Sequence, residues 1–137
     1  IEMRVKTTAT LDSATSMAFG LASARNDAID SITAHASFRI IGNNTLVVES
    51  DDGTTDKDDV ATGASLSDTY KKFVIDFTGG KSNVKFYVDG VRVAASTTFD
   101  MSGYTAGLQP YVQIQKTADT NTDSVTIDYI KIEGKRA

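Results

Sequence analysis

The 137-residue chain has no cysteine and no tryptophan, one proline, one histidine, and only three glutamates among its 18 acidic residues. Each scarcity removes a class of chemistry. Without cysteine there are no disulfides, thiolate metal sites or cysteine nucleophiles, and the compartment stays open because many exported proteins also lack the residue. Without tryptophan there is no indole platform for a sugar ring. A lone histidine, His35, excludes a histidine-rich metal site and leaves a catalytic triad without recognisable partners. No apolar run is long enough to span a bilayer, and no charged-then-apolar leader pattern is visible, so no membrane partner is expected. The net charge is −4, and the basic residues are spread along the chain. Nucleic acid calls for a concentrated positive surface, so no nucleic-acid partner is expected.

What is present is alternation. A hydrophobic content of 40% against 23% charged residues belongs to a globular chain able to bury a core. In residues 84–93, Val84-Lys85-Phe86-Tyr87-Val88-Asp89-Gly90-Val91-Arg92-Val93, two alternating runs flank Asp89-Gly90. Asp-Gly suits a tight hairpin turn, whose two central residues both need positive φ. Residues 70–77 alternate as well, and Thr78-Gly79-Gly80-Lys81 turns them back, so three consecutive strands form an antiparallel meander. Residues 1–7 place Ile1, Met3 and Val5 on one face. Because Ile1 already stands inside that run, an N-terminal segment is expected to precede it. Residues 34–41 and 45–49 read as strands around a Gly42-Asn43-Asn44 turn, and residues 111–115 and 125–132 as the last two. Residues 16–22 fit either period, with Gly20 and the surrounding strands favouring a strand. Residues 51–64, polar and acidic, read as a loop, and residues 96–109 as irregular chain. The expectation is a single all-β domain over residues 1–137, built of eight or nine short strands as an antiparallel two-sheet sandwich. Each sheet should keep one wet face.

The run Tyr70-Lys71-Lys72-Phe73-Val74-Ile75-Asp76-Phe77, the Phe86-Tyr87-Val88-Asp89-Gly90 hairpin and the closing Val125-Thr126-Ile127-Asp128-Tyr129-Ile130-Lys131-Ile132 strand resemble the concanavalin A-like lectin/glucanase superfamily. Glu2-Met3-Arg4-Val5-Lys6 and the later Phe19-Gly20-Leu21 look like the opening of such domains. The resemblance implies a jelly-roll sandwich. Its motifs place turns and core residues and carry no chemistry.

In the glycosidase branch of that superfamily, two carboxylates on one strand do the chemistry, typically in an E-x-D-x-x-E arrangement, about 5 Å apart in retaining enzymes. Glu2, Glu49 and Glu133 do not supply it. No catalytic, cofactor-binding or metal-ligating residue is therefore assigned, and no cofactor is expected. His35, opposite Ala36 and Phe38 in its strand, is expected to face solvent. The acidic residues Glu49, Asp51, Asp52, Asp56, Asp58 and Asp59 match no calcium-loop spacing. Asp119-Thr120-Asn121-Thr122-Asp123-Ser124 comes closer, but Ser124 replaces the turn glycine and Ile130 stands where the bidentate glutamate belongs. Both read as solvated loops. Gly79-Gly80-Lys81-Ser82 sits between strands and lacks the upstream glycine of a phosphate loop. Asn43-Asn44-Thr45 is a formal glycosylation acceptor, relevant only in a eukaryotic secretory setting.

Two functional classes follow. Jelly rolls similar to this one occur as add-on domains of bacteriophage virions. The first expectation is thus a non-catalytic structural protein that decorates and stabilises a capsid at the virion surface. Its partner would be the major capsid protein or another virion protein, met through residues 51–64, 96–110 and the N-terminus, with homo-oligomerisation open. The second is a carbohydrate-binding module of a secreted or cell-surface protein. It would use tyrosines (Tyr70, Tyr87, Tyr104, Tyr111 and Tyr129 are available) with polar neighbours such as Gln113, Gln115 and Lys85. A sugar binder should gather two or three aromatics with polar neighbours on one face. A decoration protein should offer apolar residues to a protein contact.

Overall fold

The computed structural model describes residues 1–118 and 121–134. Among them are ten strands: β1 Glu2–Thr7, β2 Thr15–Ala22, β3 His35–Ile41, β4 Thr45–Asp51, β5 Asp56–Ser65, β6 Lys71–Asp76, β7 Lys85–Val88, β8 Val91–Val93, β9 Gln109–Lys116 and β10 Val125–Lys131. Two single 3-10 turns, Ile29–Ser31 and Lys81–Asn83, are the only helical pieces among the described residues. The strands make two five-stranded antiparallel sheets. Sheet A runs β10-β1-β6-β7-β8 and sheet B runs β5-β4-β3-β2-β9. The chain is all-β, a two-sheet sandwich.

The local signals act as read. Asp89 and Gly90 adopt φ of 49° and 83°, and the β7–β8 hairpin closes there. Strands β6, β7 and β8 form the meander, and residues 16–22 are strand. Gly20 earns its place by close approach. A Cβ there would stand 2.5 Å from the carbonyl oxygen of Ala36 on the paired strand.

Alternation fills the space between the sheets. Met3, Val5, Phe73, Ile75, Phe86 and Val88 come from sheet A, and Met17, Phe19, Phe38, Ile40, Leu46 and Val48 from sheet B. Phe19 and Phe38 stack at 5.6 Å between ring centroids, and Phe73 meets both edge-on at 4.8 and 4.9 Å. Phe86 meets Phe38 at 5.3 Å and passes the contact to Phe99 at 4.9 Å. Such pairs add to simple area burial.

Residues 51–64 are corrected from the sequence reading. Most of that segment is strand β5, at the edge of sheet B. Its pairing with β4 shifts register twice, and Asp59 and Gly63 take positive φ. Bulges break the period of two, and an edge strand facing water needs no apolar face. The expectation of one wet face per sheet also fails for sheet B. Residues 23–34 fold over its outer surface, where Ile29 and Ile32 pack with Ala18, Ala22 and Tyr111.

Replacing Phe38 with alanine removes the ring that touches Phe19, Phe73 and Phe86. We expect a loss of about 3–5 kcal/mol in urea denaturation, whereas Val91→Ala at the exposed hairpin tip should change stability by less than about 0.5 kcal/mol.

Candidate functional site

Register places a charged cluster on the outer face of sheet B. Ser37 lies opposite Glu49, and His35 and Arg39 share its side of β3. His35, Ser37, Arg39 and Glu49 are all buried. His35 is therefore not the solvent-facing residue expected from alternation. Alternation predicts which face a residue takes, and residues 23–34 cover that face.

Arg39 is the hub. Its Nη1 donates to Glu49 Oε1 at 2.9 Å and to Asp30, and lies 3.6 Å from Asp59 Oδ1. His35 Nε2 stands 3.6 Å from Glu49 Oε2, and its Nδ1 is 3.2 Å from the Ile32 carbonyl. Asp30 comes from the covering segment and Asp59 from β5, so with β3 and β4 the cluster joins four pieces of chain. Among the described residues, His35 Nε2, Arg39 Nε and Ser50 Oγ are the buried side-chain atoms without a hydrogen-bond partner.

The charges within it are unequal. Burial pushes the Glu49 carboxyl up, but the neighbouring His35 and Asp59 and the Arg39 guanidinium outweigh this and hold it at about 2. Burial and then the Glu49 carboxylate push Asp59 up to about 6. Of the two acids Asp59 takes the first proton, as pH falls through about 6. Burial lowers His35, and the Glu49 carboxylate overcomes it to raise the imidazole above its ordinary value. Two carboxyl groups with separated affinities are the raw material of acid–base chemistry. Here Glu49 is 1% exposed, so no substrate reaches it in this arrangement.

The other sequence candidates disperse. Asp52 is buried and accepts backbone N–H bonds from Thr54, Thr55 and Gly103, pinning residues 96–110 to the β4–β5 turn. Asp123 accepts the hydroxyls of Thr15 and Thr8. Asp119 and Thr120 lie outside the described residues. Among the described residues no group of three or more His, Asp or Glu is arranged to hold a metal ion. Lys81 donates to the Tyr104 carbonyl at 2.7 Å and belongs to loop packing. Gln115 and Gln113 hold residues 23–34 down, accepting from Ile29 N–H at 3.0 Å and donating to the Asp27 carbonyl at 3.2 Å. Tyr111 is buried beneath the same segment, its hydroxyl on Gln113. Lys85 and Tyr87 lie on the outer face of sheet A, so they share no surface with the glutamines.

Two exposed features remain. The outer face of sheet A gathers Tyr70, Tyr87 and Tyr129 among charged residues; Arg4 and Lys6 lie 4.7 and 5.0 Å from the centre of the Tyr70 ring. The second is an open edge. Strands β5 and β8 touch, so the other two edge strands, β9 and β10, lie at the opposite side of the sandwich. Each is paired on one side only. Ile114 and Ile130, opposite the core residues Met17 and Met3, are 41% and 42% exposed, and Ile132 beside them is 60% exposed. Among the described residues no helix is long and apolar enough to cross a membrane.

Compared with known proteins, the chain matches no family model, no curated protein and no solved structure.

These shifted affinities make stability depend on pH. Asp59 has its affinity raised from 3.8 to about 6, so its contribution is complete below pH 3.8 and lost as pH rises through 6. His35 acts in the same direction at higher pH. Glu49 acts oppositely, its contribution being lost only as pH falls from 4.5 through about 2. The melting temperature should therefore fall as pH rises from about 4 through about 6, and His35 continues the fall above that. Asp59→Asn, which keeps a donor for Glu49 at every pH, should recover on the order of 3 °C at neutral pH, a figure discounted for the exposure of Asp59. Thermal melts across that range check it.

Proposed function

We propose that the domain is a non-catalytic structural module of the virion-decorating kind, a rigid jelly roll that attaches to an assembled shell through protein contact. The observation that carries the reading is the open edge between β9 and β10. Exposed Ile114, Ile130 and Ile132 stand there beside two strand edges whose outward backbone groups lack a strand partner. Isolated exposed apolar residues mean little, but a row along unpaired strand edges suits an extended segment of a neighbouring subunit. The resemblance to phage jelly rolls supplies the setting, with the major capsid protein or another virion protein as partner and the virion surface as location. The mechanism is passive. A domain that binds only the assembled shell stabilises it by mass action.

A second reading is favoured by one observation. Tyr70, Tyr87 and Tyr129 share the outer face of sheet A with carboxylates and cations, the grouping a carbohydrate-binding module requires.

Mass spectrometry and imaging of purified particles test the first reading. Stoichiometric copies at symmetric positions, with the β9/β10 edge against a neighbour, are the expected result. An Ile114→Asp, Ile130→Asp double variant should melt within a few degrees of the parent and lose more than about tenfold in occupancy. A chain absent from particles, or docked with that edge in solvent, defeats the reading.

A further inference from the structure

Basic residues of this acidic chain gather on one face. Register places Arg4, Lys6, Lys72, Lys85, Arg92 and Lys131 on the outer face of sheet A, with Glu2, Asp76 and Asp128 among them and Asp89 and Glu133 at its margin beside Lys72 and Lys131. Six cations against five acids stand on one face of a chain whose net charge is −4. Chain order separates the cations by up to 127 positions, from Arg4 to Lys131. The antiparallel register collects them, so reading along the sequence gives only scattered basic residues.

The arrangement has a direction. Lys131, Glu2, Val74, Tyr87 and Arg92 are successive cross-strand partners from β10 to β8. Five strands about 4.8 Å apart make this row about 19 Å long. Tyr129 lies beside it opposite Arg4, with Lys72 on the far side of Arg4. The acids are already committed. Asp128 holds Arg4 at 2.5 Å, Glu133 holds Lys131 at 2.8 Å, and Glu2 accepts the Tyr129 hydroxyl at 2.5 Å. Backbone N–H groups of Thr78 and Lys72 donate to Asp76 and Asp89, both at 2.8 Å. Lys6, Lys85 and Arg92 carry no ion pair among the described residues.

We propose that the outer face of sheet A binds an acidic polysaccharide, a chain bearing uronate or sulfate groups, laid across the strands. This rests on the carbohydrate-binding reading and names its ligand class. Lys85 and Arg92 pair with the acid groups, and Tyr87 and Tyr129 offer ring faces to the sugars. The carboxylates set among the cations argue against a polynucleotide. Duplex DNA carries a charge about every 1.7 Å along its axis and is met by a nearly uninterrupted basic surface. A polysaccharide with one charge per sugar or two tolerates acids set among the cations.

The test is biolayer interferometry of the whole domain on immobilised polygalacturonate, heparin, neutral dextran and duplex DNA, at about 50 and about 300 mM salt. Retention on at least one acidic polysaccharide, weakening with salt and absent on dextran, is the expected result. A Lys85→Gln, Arg92→Gln double variant, at positions outside the core, should bind at least about tenfold more weakly with an unchanged melt. Tyr87→Ala should weaken binding without altering its salt dependence. Binding to dextran as tight as to the acidic chains would keep the carbohydrate reading and overturn the acidic one. Preference for DNA would overturn the choice of polymer. No retention on any surface would defeat this inference and the carbohydrate reading together. The Ile114→Asp, Ile130→Asp variant should bind like the parent, which separates this face from the edge that carries the virion reading.

Discussion

Phe19 and Phe38 on one sheet meet Phe73 and Phe86 on the other, and these ring contacts set how the two sheets lie together. The rest of the architecture depends on that contact. It spends the inner face of nearly every strand on the core. It also fixes which strands finish at each side, β5 and β8 at one and β9 and β10 at the other. Function is left to the outer faces and the edges, and these three surfaces differ in kind.

The outer face of sheet B is closed. Residues 23–34 lie on it, and the polar residues beneath are used internally. Arg39 neutralises Glu49 and Asp30, while Gln113 and Gln115 anchor the covering segment. A guanidinium shared among carboxylates is the usual condition for burying such charge, because an unpaired buried ion costs several kcal/mol. The outer face of sheet A has no such cover. Its charges stay at or near solvent, where each internal pair contributes little and an external partner can compete for the cations. The β9/β10 edge is the third kind, apolar and incompletely paired. A charged face and an apolar edge on different sides of one sandwich can engage different partners at once.

Much of the fold was legible because it rests on local rules. Asp89-Gly90 demands a tight turn wherever it falls between strands, and Met3-x-Val5 or Phe73-x-Ile75 demands a buried face. Strand β5 was not legible, since two register shifts destroy the period by which strands are recognised. His35 shows the limit of alternation. Its face was read correctly, but its burial depends on Ile29 and Ile32 lying over that face. The acidic run looked like one solvated cluster. In the fold Asp52 becomes a backbone anchor, Glu49 a buried ion and Asp59 an acid of raised proton affinity, because each meets a different set of neighbours.

The sequence by itself determined the class of object. Period-two alternation, turn residues at φ-demanding positions and the lack of cysteine, tryptophan and histidine clusters lead to an all-β sandwich and away from thiol, indole and histidine-rich chemistry. Tertiary structure alone decided which residues share a surface. Glu2 and Lys131 become neighbours, as do Arg4 and Tyr129, only because β1 pairs with the last strand of the chain. Composition is a property of the chain, whereas a patch of charge or an open edge is a property of register. Register is set by long-range pairing that no local stretch of sequence encodes.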